Sequence, residues 1–305
     1  MFIDTNDFIL HMKIDVIKKL FIKQNNHLFN YYFIYNIMKS RTTIDIKFLE
    51  DSLLINNNIL VLSDLHIGYE EYLYRESLFQ RIQLKDIIEK LKRIFYLLAK
   101  ENITIKKIII LGDLKHEFGE ISDTEWRETL FVLDFLLAKI KSKGNSLHPK
   151  MKSQLSKEKI ILVKGNHDTI LGPIAKKREI KLKDYYKIKD LCFIHGNRLY
   201  KNCLDNSKIL VLGHLHPSII LSDEYKREKY KCFLKGKWKN KQIYILPSFS
   251  EITFGYNLKL LNEEKQDEGF LIIPSKELNK FNVIIYNNKE NQKYDFGKLK
   301  ELVKG

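Results

Sequence analysis

Three cysteines occur in the 305 residues, Cys192, Cys203 and Cys232, with no CxxC pair. Their scarcity argues against a disulfide framework and a cysteine-built zinc site, and it fits a reducing cytoplasm. Long hydrophobic runs are missing too. No stretch approaches the ~18 apolar residues of a membrane span, and Asp4 and Asp7 interrupt the amino terminus, so neither membrane association nor a signal peptide is expected. Acidic residues are in deficit, 38 Asp+Glu against 53 Lys+Arg, for a formal charge of +15. Such a balance favours an anionic partner and carries no information about the fold. Internal repeats and low-complexity tracts are absent, and 44% hydrophobic with 30% charged residues describes an ordinary globular protein.

The chain also contains short, wholly apolar runs. Residues 1–40 are aromatic- and amide-rich and hold none of the motifs below, so they are expected to be an accessory segment ahead of one domain over 41–305. From Ile44 the pattern is regular, with an alternating run that leads into Leu53–Ile55. Leu53–Ile55 and Ile59–Leu62 flank three asparagines, a residue that tolerates left-handed turns, and read as a hairpin. Apolar residues at helical spacing predict a helix over about 78–100, and Ser122-x-x-Glu125 is a capping box that opens another to about 143. A polar loop is expected over 143–157. Buried-strand runs recur at 108–111, 160–163, 191–194 and 209–212, with further strands near 230–235, 242–246 and 281–286. Strands alternate with helices first and follow one another later, which predicts an α/β protein of two packed, partly parallel sheets with helices outside.

Five of the apolar runs end in Asp, Asn or His, usually beside glycine. They lead into Ser63-Asp64-Leu65-His66, Gly112-Asp113, Lys164-Gly165-Asn166-His167-Asp168, His195-Gly196 and Gly213-His214-Leu215-His216. Ligands of open α/β sheets bind beyond the carboxyl ends of strands. Carboxylate, amide oxygen and imidazole are the ligand types of a divalent transition metal. Any one of these groups alone reads as well as a turn, a cap or a buried core residue. Their joint recurrence at strand ends is what points to a metal site.

The ordered series DxH, GD, GNHD, H and GHxH, from Asp64 to His216, resembles the motif series of the calcineurin-like metallophosphoesterases. The resemblance implies a four-layer αββα sandwich of two mixed sheets flanked by helices, with two divalent metal ions. It implies that Asp64, His66 and His216 hold the first ion, that Asn166, His195 and His214 hold the second, and that Asp113 bridges them. By the same resemblance His167 is the acid or charge stabiliser near the scissile phosphate, and Asp168 orients it. The implied reaction is phosphoester hydrolysis by a metal-bound hydroxide. The mixed oxygen and imidazole set suits manganese, iron or zinc better than magnesium, with manganese expected.

Gly112 to Phe118, with Lys115-His116 where many relatives carry an acidic residue, and Pro247-Ser248-Phe249 look like the ICC-like phosphoesterases of archaea and of bacterial DNA-repair operons. That subgroup implies a phosphodiesterase and DNA endonuclease, with a repair ligase or helicase as partner protein. A phosphomonoesterase or nucleotidase using the same site is the alternative, and a non-catalytic scaffold a further one. Lys115 and His116 either reach a substrate phosphate or serve as a solvated lysine and a partner of a metal ligand. The lysines and aromatics between Lys226 and Lys241 form either the solvated face of a hairpin or a surface for DNA.

Overall fold

The computed structural model describes residues 44–74, 82–140, 159–222, 224–262 and 271–303. The expected accessory segment and the polar loop over 143–157 lie outside these residues. From Asp45 onward the described residues form one compact unit, which carries every strand-end motif.

One mixed sheet holds β1 (Ile46–Leu49), β2 (Ser52–Ile55), β3 (Ile59–Leu62), β4 (Lys107–Leu111), β5 (Ile160–Val163) and β6 (Lys181–Lys183), in that spatial order. The hairpin of β2 and β3 turns at Asn56 and Asn57, both at left-handed φ, and β3, β4, β5 and β6 are parallel. Helix α1 (Tyr69–Leu73) follows β3, α2 (Gln83–Lys100) precedes β4, and α3 (Asp123–Lys139) follows it. After β5 comes α4 (Leu171–Lys177). Within the described residues α2 starts at Gln83, later than the apolar pattern suggests. The Glu70 carboxylate receives the amides of Ile82 and Gln83 and so caps that helix.

The second mixed sheet runs in the order β16 (Gln292–Lys298), β15 (Asn282–Asn287), β12 (Phe233–Trp238), β13 (Lys241–Ile245), β9 (Ile209–Leu212), β8 (Leu191–Ile194) and β7 (Tyr186–Ile188). Strands β8, β9 and β13 are parallel. Short helices α5 (Lys201–Asp205), α6 (Ser275–Leu278) and α7 (Leu299–Leu302) accompany it. A third sheet, not expected from the sequence, joins β10 (Pro217–Ser222) to β11 (Arg227–Lys231) and β14 (Tyr256–Asn257).

Strand alternation sorts the core into layers. On β3, Leu60 and Leu62 join α2, α3 and α4 in one apolar cluster, whereas the equally buried Val61 points to the opposite face. On β9, Leu210 and Leu212 join the cluster around α5, α6 and α7, and Val211 lies on the other face. Between the sheets Phe48 of β1 meets Phe233 of β12 edge-on, with ring centroids 4.9 Å apart. Helices, sheet, sheet and helices therefore stack as the expected sandwich.

Two expectations are corrected. Cys192 on β8 and Cys203 in α5 form a disulfide, because the turn after β8 folds α5 back over that strand; Cys232 is buried and free. The bridge removes the cysteine argument for a reducing compartment. The basic run from Lys226 to Lys241 is divided: β12 and β13 form the expected hairpin, with Phe233 and Trp238 buried, Lys237 exposed and Lys239 in the turn, but β11 lies apart in the small sheet. No helix among the described residues is long and apolar enough to cross a membrane.

Candidate metal centre

The five motif-bearing strands end at one rim, β3, β4 and β5 from one sheet and β8 and β9 from the other. Five of the side chains they present stand on left-handed backbone: Asp64 (φ 54°), His66 (45°), Asp113 (48°), His214 (68°) and His216 (47°). Non-glycine residues rarely adopt this region, and each instance costs on the order of 1 kcal/mol or more unless its surroundings impose it. Here the hydrogen bonds of the loops impose it. The Asp64 amide donates to Gly112 O (3.2 Å) and the His66 amide to Asp113 O (2.9 Å). Glycine is required where these loops cross: a Cβ on Gly165 would overlap the Asp113 carboxylate, and one on Gly213 would overlap Ser63 and Asp64.

Two clusters result, and Asp113 belongs to both. The first joins Asp64, His66, Asp113 and His216; the second joins Asp113, His195 and His214, and in each the ligand atoms lie within 4.8 Å of one another. Oδ1 of Asp64 is 3.0 Å from Nε2 of His216. Oδ2 of Asp113 is 3.7 Å from Nε2 of His66 and 3.3 Å from Nε2 of His195. Asn166 completes the second cluster, with Oδ1 at 3.0 Å from Nε2 of His195. All seven side chains expected to ligate metals are thus brought together.

The donor set suits cations. Ring nitrogens face each other at 3.3 Å between His66 and His216 and at 3.0 Å between His195 and His214. One proton can bridge such a pair, and a divalent ion placed nearby would accept both lone pairs. His195 donates from Nδ1 to Leu111 O (2.8 Å), which leaves Nε2 toward Asp113. Burial opposes charge on both partners, yet their mutual attraction prevails: the His195 imidazole rises to about 9 and the Asp113 carboxyl falls to about 2. His66, buried and beside other imidazoles, is held well below the usual histidine range.

His167 stands next to the clusters. Its amide donates to Oδ1 of Asp113 (2.9 Å), its Nδ1 donates to the His116 carbonyl, and its ring lies under Phe118. Because a carbonyl only accepts, Nδ1 carries hydrogen and Nε2 is left to hold a proton at the site. Asp168 does not reach the His167 ring. Its oxygens accept from the amides of Leu114 (3.1 Å), Lys115 (3.5 Å) and Gly165 (2.9 Å), tying the loop after β4 to the loop after β5. Burial and the neighbouring Asp113 raise its carboxyl to about 6. Lys115 is not a solvated lysine: it is fully buried, and its ammonium donates to Glu117 O. His116 places Nδ1 3.3 Å from Nδ1 of His66, and with His66 and His167 it forms a third group of convergent imidazoles. Burial first, then His167, lowers His116 to about 4.

Beneath the first cluster lies a support that the sequence did not reveal. The Ser248 hydroxyl donates to Asp64 O (2.9 Å), the Phe249 amide to Ser63 O (2.9 Å), and Gln83 Nε2 to His66 O (2.8 Å). Two lysines hold that loop in turn. Lys231 donates to Ser248 O (3.0 Å) and Ser250 O (2.5 Å), and Lys90 donates to Phe249 O (2.9 Å). Asp51 and Glu251 balance them, with Asp51 Oδ2 2.5 Å from Lys90. The sequence signals were Pro247-Ser248-Phe249, which marked the loop without its role, and Lys90 on the apolar face of its helix. Capping-box Glu125 also departs from expectation: its amide donates to the Ser122 hydroxyl (3.0 Å), but its carboxylate accepts from the amides of His116 and Glu117.

Residues 58–287 match the sequence profile of the family described as calcineurin-like phosphoesterase. The chain belongs to the calcineurin-like phosphoesterases. That family and the histidine and aspartate clusters together point to a dinuclear divalent-metal site. No curated protein matches the chain significantly. Among solved structures, it is similar to the Pseudomonas putida nuclease MPE, with 18% identity, a TM-score of 0.46, and coverage of 80% of this chain and 96% of that one. It is also similar to a single mutant of Vps29 from Entamoeba histolytica, with 13% identity, a TM-score of 0.28, and coverage of 78% and 99%. At these values the membership of this calcineurin-like phosphoesterase rests on the profile and not on the structural likenesses.

Proposed function

We propose that this chain is a manganese-dependent phosphodiesterase that cuts DNA endonucleolytically. The observation that carries the reading is the sharing of Asp113 by two cation-ready clusters with His167 beside them. Asp64, His66, Asp113 and His216 would hold one ion, and Asp113, Asn166, His195 and His214 the other. When bound, such a pair supplies Lewis-acid polarisation of the phosphoryl oxygens and an acidified water. The chain's own residues do the rest. Asp113 offsets the repulsion between the two cations. His167, fixed through Nδ1, presents Nε2 to the leaving oxygen as proton donor or positive charge. Phe118 covers one face of that ring.

The charge of +15 favours a polyanion over a small monoester. A mixed oxygen and imidazole donor set favours manganese over magnesium. A DNA-repair ligase or helicase fits this reading as partner, and the cytoplasm as location. The test compares bis-p-nitrophenyl phosphate, p-nitrophenyl phosphate, a single-stranded oligonucleotide and a supercoiled plasmid as substrates of the purified protein in manganese. Diester turnover with nicking of DNA is expected. Strong monoester turnover without nicking would overturn the substrate and establish a phosphomonoesterase or nucleotidase.

A further inference from the structure

A cleft of about 180 Å³ opens beside the second cluster, lined by Lys164, Gly165, Asn166, Asp184, Asn197 and Arg198 among others. At ~30 Å³ per water it has room for about six waters, enough for a phosphate group. Its position follows from the strand ends. Lys164 is the first residue after β5, two before Asn166, and Arg198 lies three residues after His195. Both cations are exposed, and neither forms an ion pair among the described residues, unlike Lys90, Lys231 and Arg178. Asp184 lines the same cleft, leaving an excess of one positive charge. Asn197 adds an amide. Two cations at the lip of a metal site, outnumbering the one carboxylate beside them, are suited to an anionic oxygen of the substrate.

We infer that Lys164 and Arg198 form a phosphate subsite for the phosphate next to the scissile one in a nucleic-acid strand. The inference rests on the phosphodiesterase reading for the identity of the strand. A compact monoester or an aryl diester has no second phosphate to place there. A polynucleotide has one at every residue, so the subsite would select polymers and orient them across the metal centre.

The test uses the full chain and a fluorescein-labelled 12-nucleotide single strand. Binding is measured by anisotropy over a sodium chloride series in EDTA. The variant is K164A/R198A, and K237A/K239A serves as a control of equal charge change at the far end of the large sheet. Loss of one phosphate contact is expected to make the log Kd against log salt slope shallower by about 0.7. Affinity should fall about 5- to 10-fold at low salt for K164A/R198A, and less than 2-fold for the control. In manganese, the ratio of kcat/KM for the oligonucleotide to that for bis-p-nitrophenyl phosphate should fall about 10-fold in K164A/R198A. An unchanged slope, or an equal loss in the control, overturns the subsite. Failure of the unaltered chain to cut any DNA would overturn the nuclease reading instead, while the metal-free binding series would still decide the subsite.

Discussion

Nε2 of His195 lies 3.3 Å from Oδ2 of Asp113, a contact between the two sheets that a proton maintains when no cation is bound. The raised imidazole, at about 9 against an ordinary 6.5, stabilises the metal-free fold below pH 6.5, and this contribution is lost as pH rises through about 9. The lowered carboxyl, at about 2 against 3.8, contributes above pH 3.8 and is lost as pH falls through about 2. In EDTA the contribution of this pair to Tm, read as the difference between the native chain and His195→Ala, should therefore be level between about pH 4 and 6.5 and decline toward pH 9. Metal must displace the His195 proton, so loading at pH 7 should release close to one proton. Calorimetry in buffers of different ionisation enthalpy would measure it, and identical heats in every buffer would contradict the assignment.

Asp113 and His167 should separate metal binding from chemistry. Asp113→Asn removes the one charge common to both clusters. It is expected to lower the metal content from two ions to one or none, with turnover down at least about 10³-fold. His167→Ala should leave both ions in place and lower turnover by about 10²- to 10⁴-fold, the usual range for a lost general acid. Metal analysis by mass spectrometry alongside diester kinetics distinguishes the two. Full activity in His167→Ala would remove that residue from the mechanism.

The lysine clamp under the first cluster predicts a stability effect. Lys90→Met leaves Asp51 facing only Lys231, so a loss of about 3–5 kcal/mol is expected from chemical denaturation. Lys90→Met/Asp51→Asn should lose less than the sum of the single changes. Burial disfavours charge on both groups, but their attraction lowers Asp51 and raises Lys90. Their contribution therefore falls away in acid below pH 3.8 and in alkali above pH 10.5.

Gly165 supplies a sharper steric test. Its missing Cβ is the space that the Asp113 carboxylate occupies. Gly165→Ala should displace that carboxylate and lower metal content as Asp113→Asn does, though the side chain keeps its charge. Gly119→Ala, where an added Cβ meets nothing within 4 Å, should retain both ions. Equal metal content in the two variants would show that the loops have more freedom than their hydrogen bonds imply.

Much of this was legible in the chain because strands buried on both faces read as unbroken apolar runs. Ile59–Leu62, Ile108–Leu111, Ile160–Val163, Leu191–Ile194 and Ile209–Leu212 announce themselves that way, and the residues after each run must emerge at a strand end. Strand identity and the order of Asp64, His66, Asp113, Asn166, His195, His214 and His216 are thus local properties, set by composition and spacing. Which oxygen meets which imidazole is not local. Asp113 comes between His66 and His195 only because two sheets pack face to face, and the left-handed φ at its position is imposed by hydrogen bonds from distant loops. The same holds for Asp168, whose partners are backbone amides of two loops and not the adjacent histidine, and for Cys192 and Cys203. It holds also for Lys90 and Lys231, which lie far apart in sequence and close on one loop. The sequence by itself determined the elements and the chemistry they carry to the rim. Tertiary structure alone decided the partners, because a hydrogen bond or ion pair between strands depends on packing geometry, to which no short stretch of sequence is sensitive.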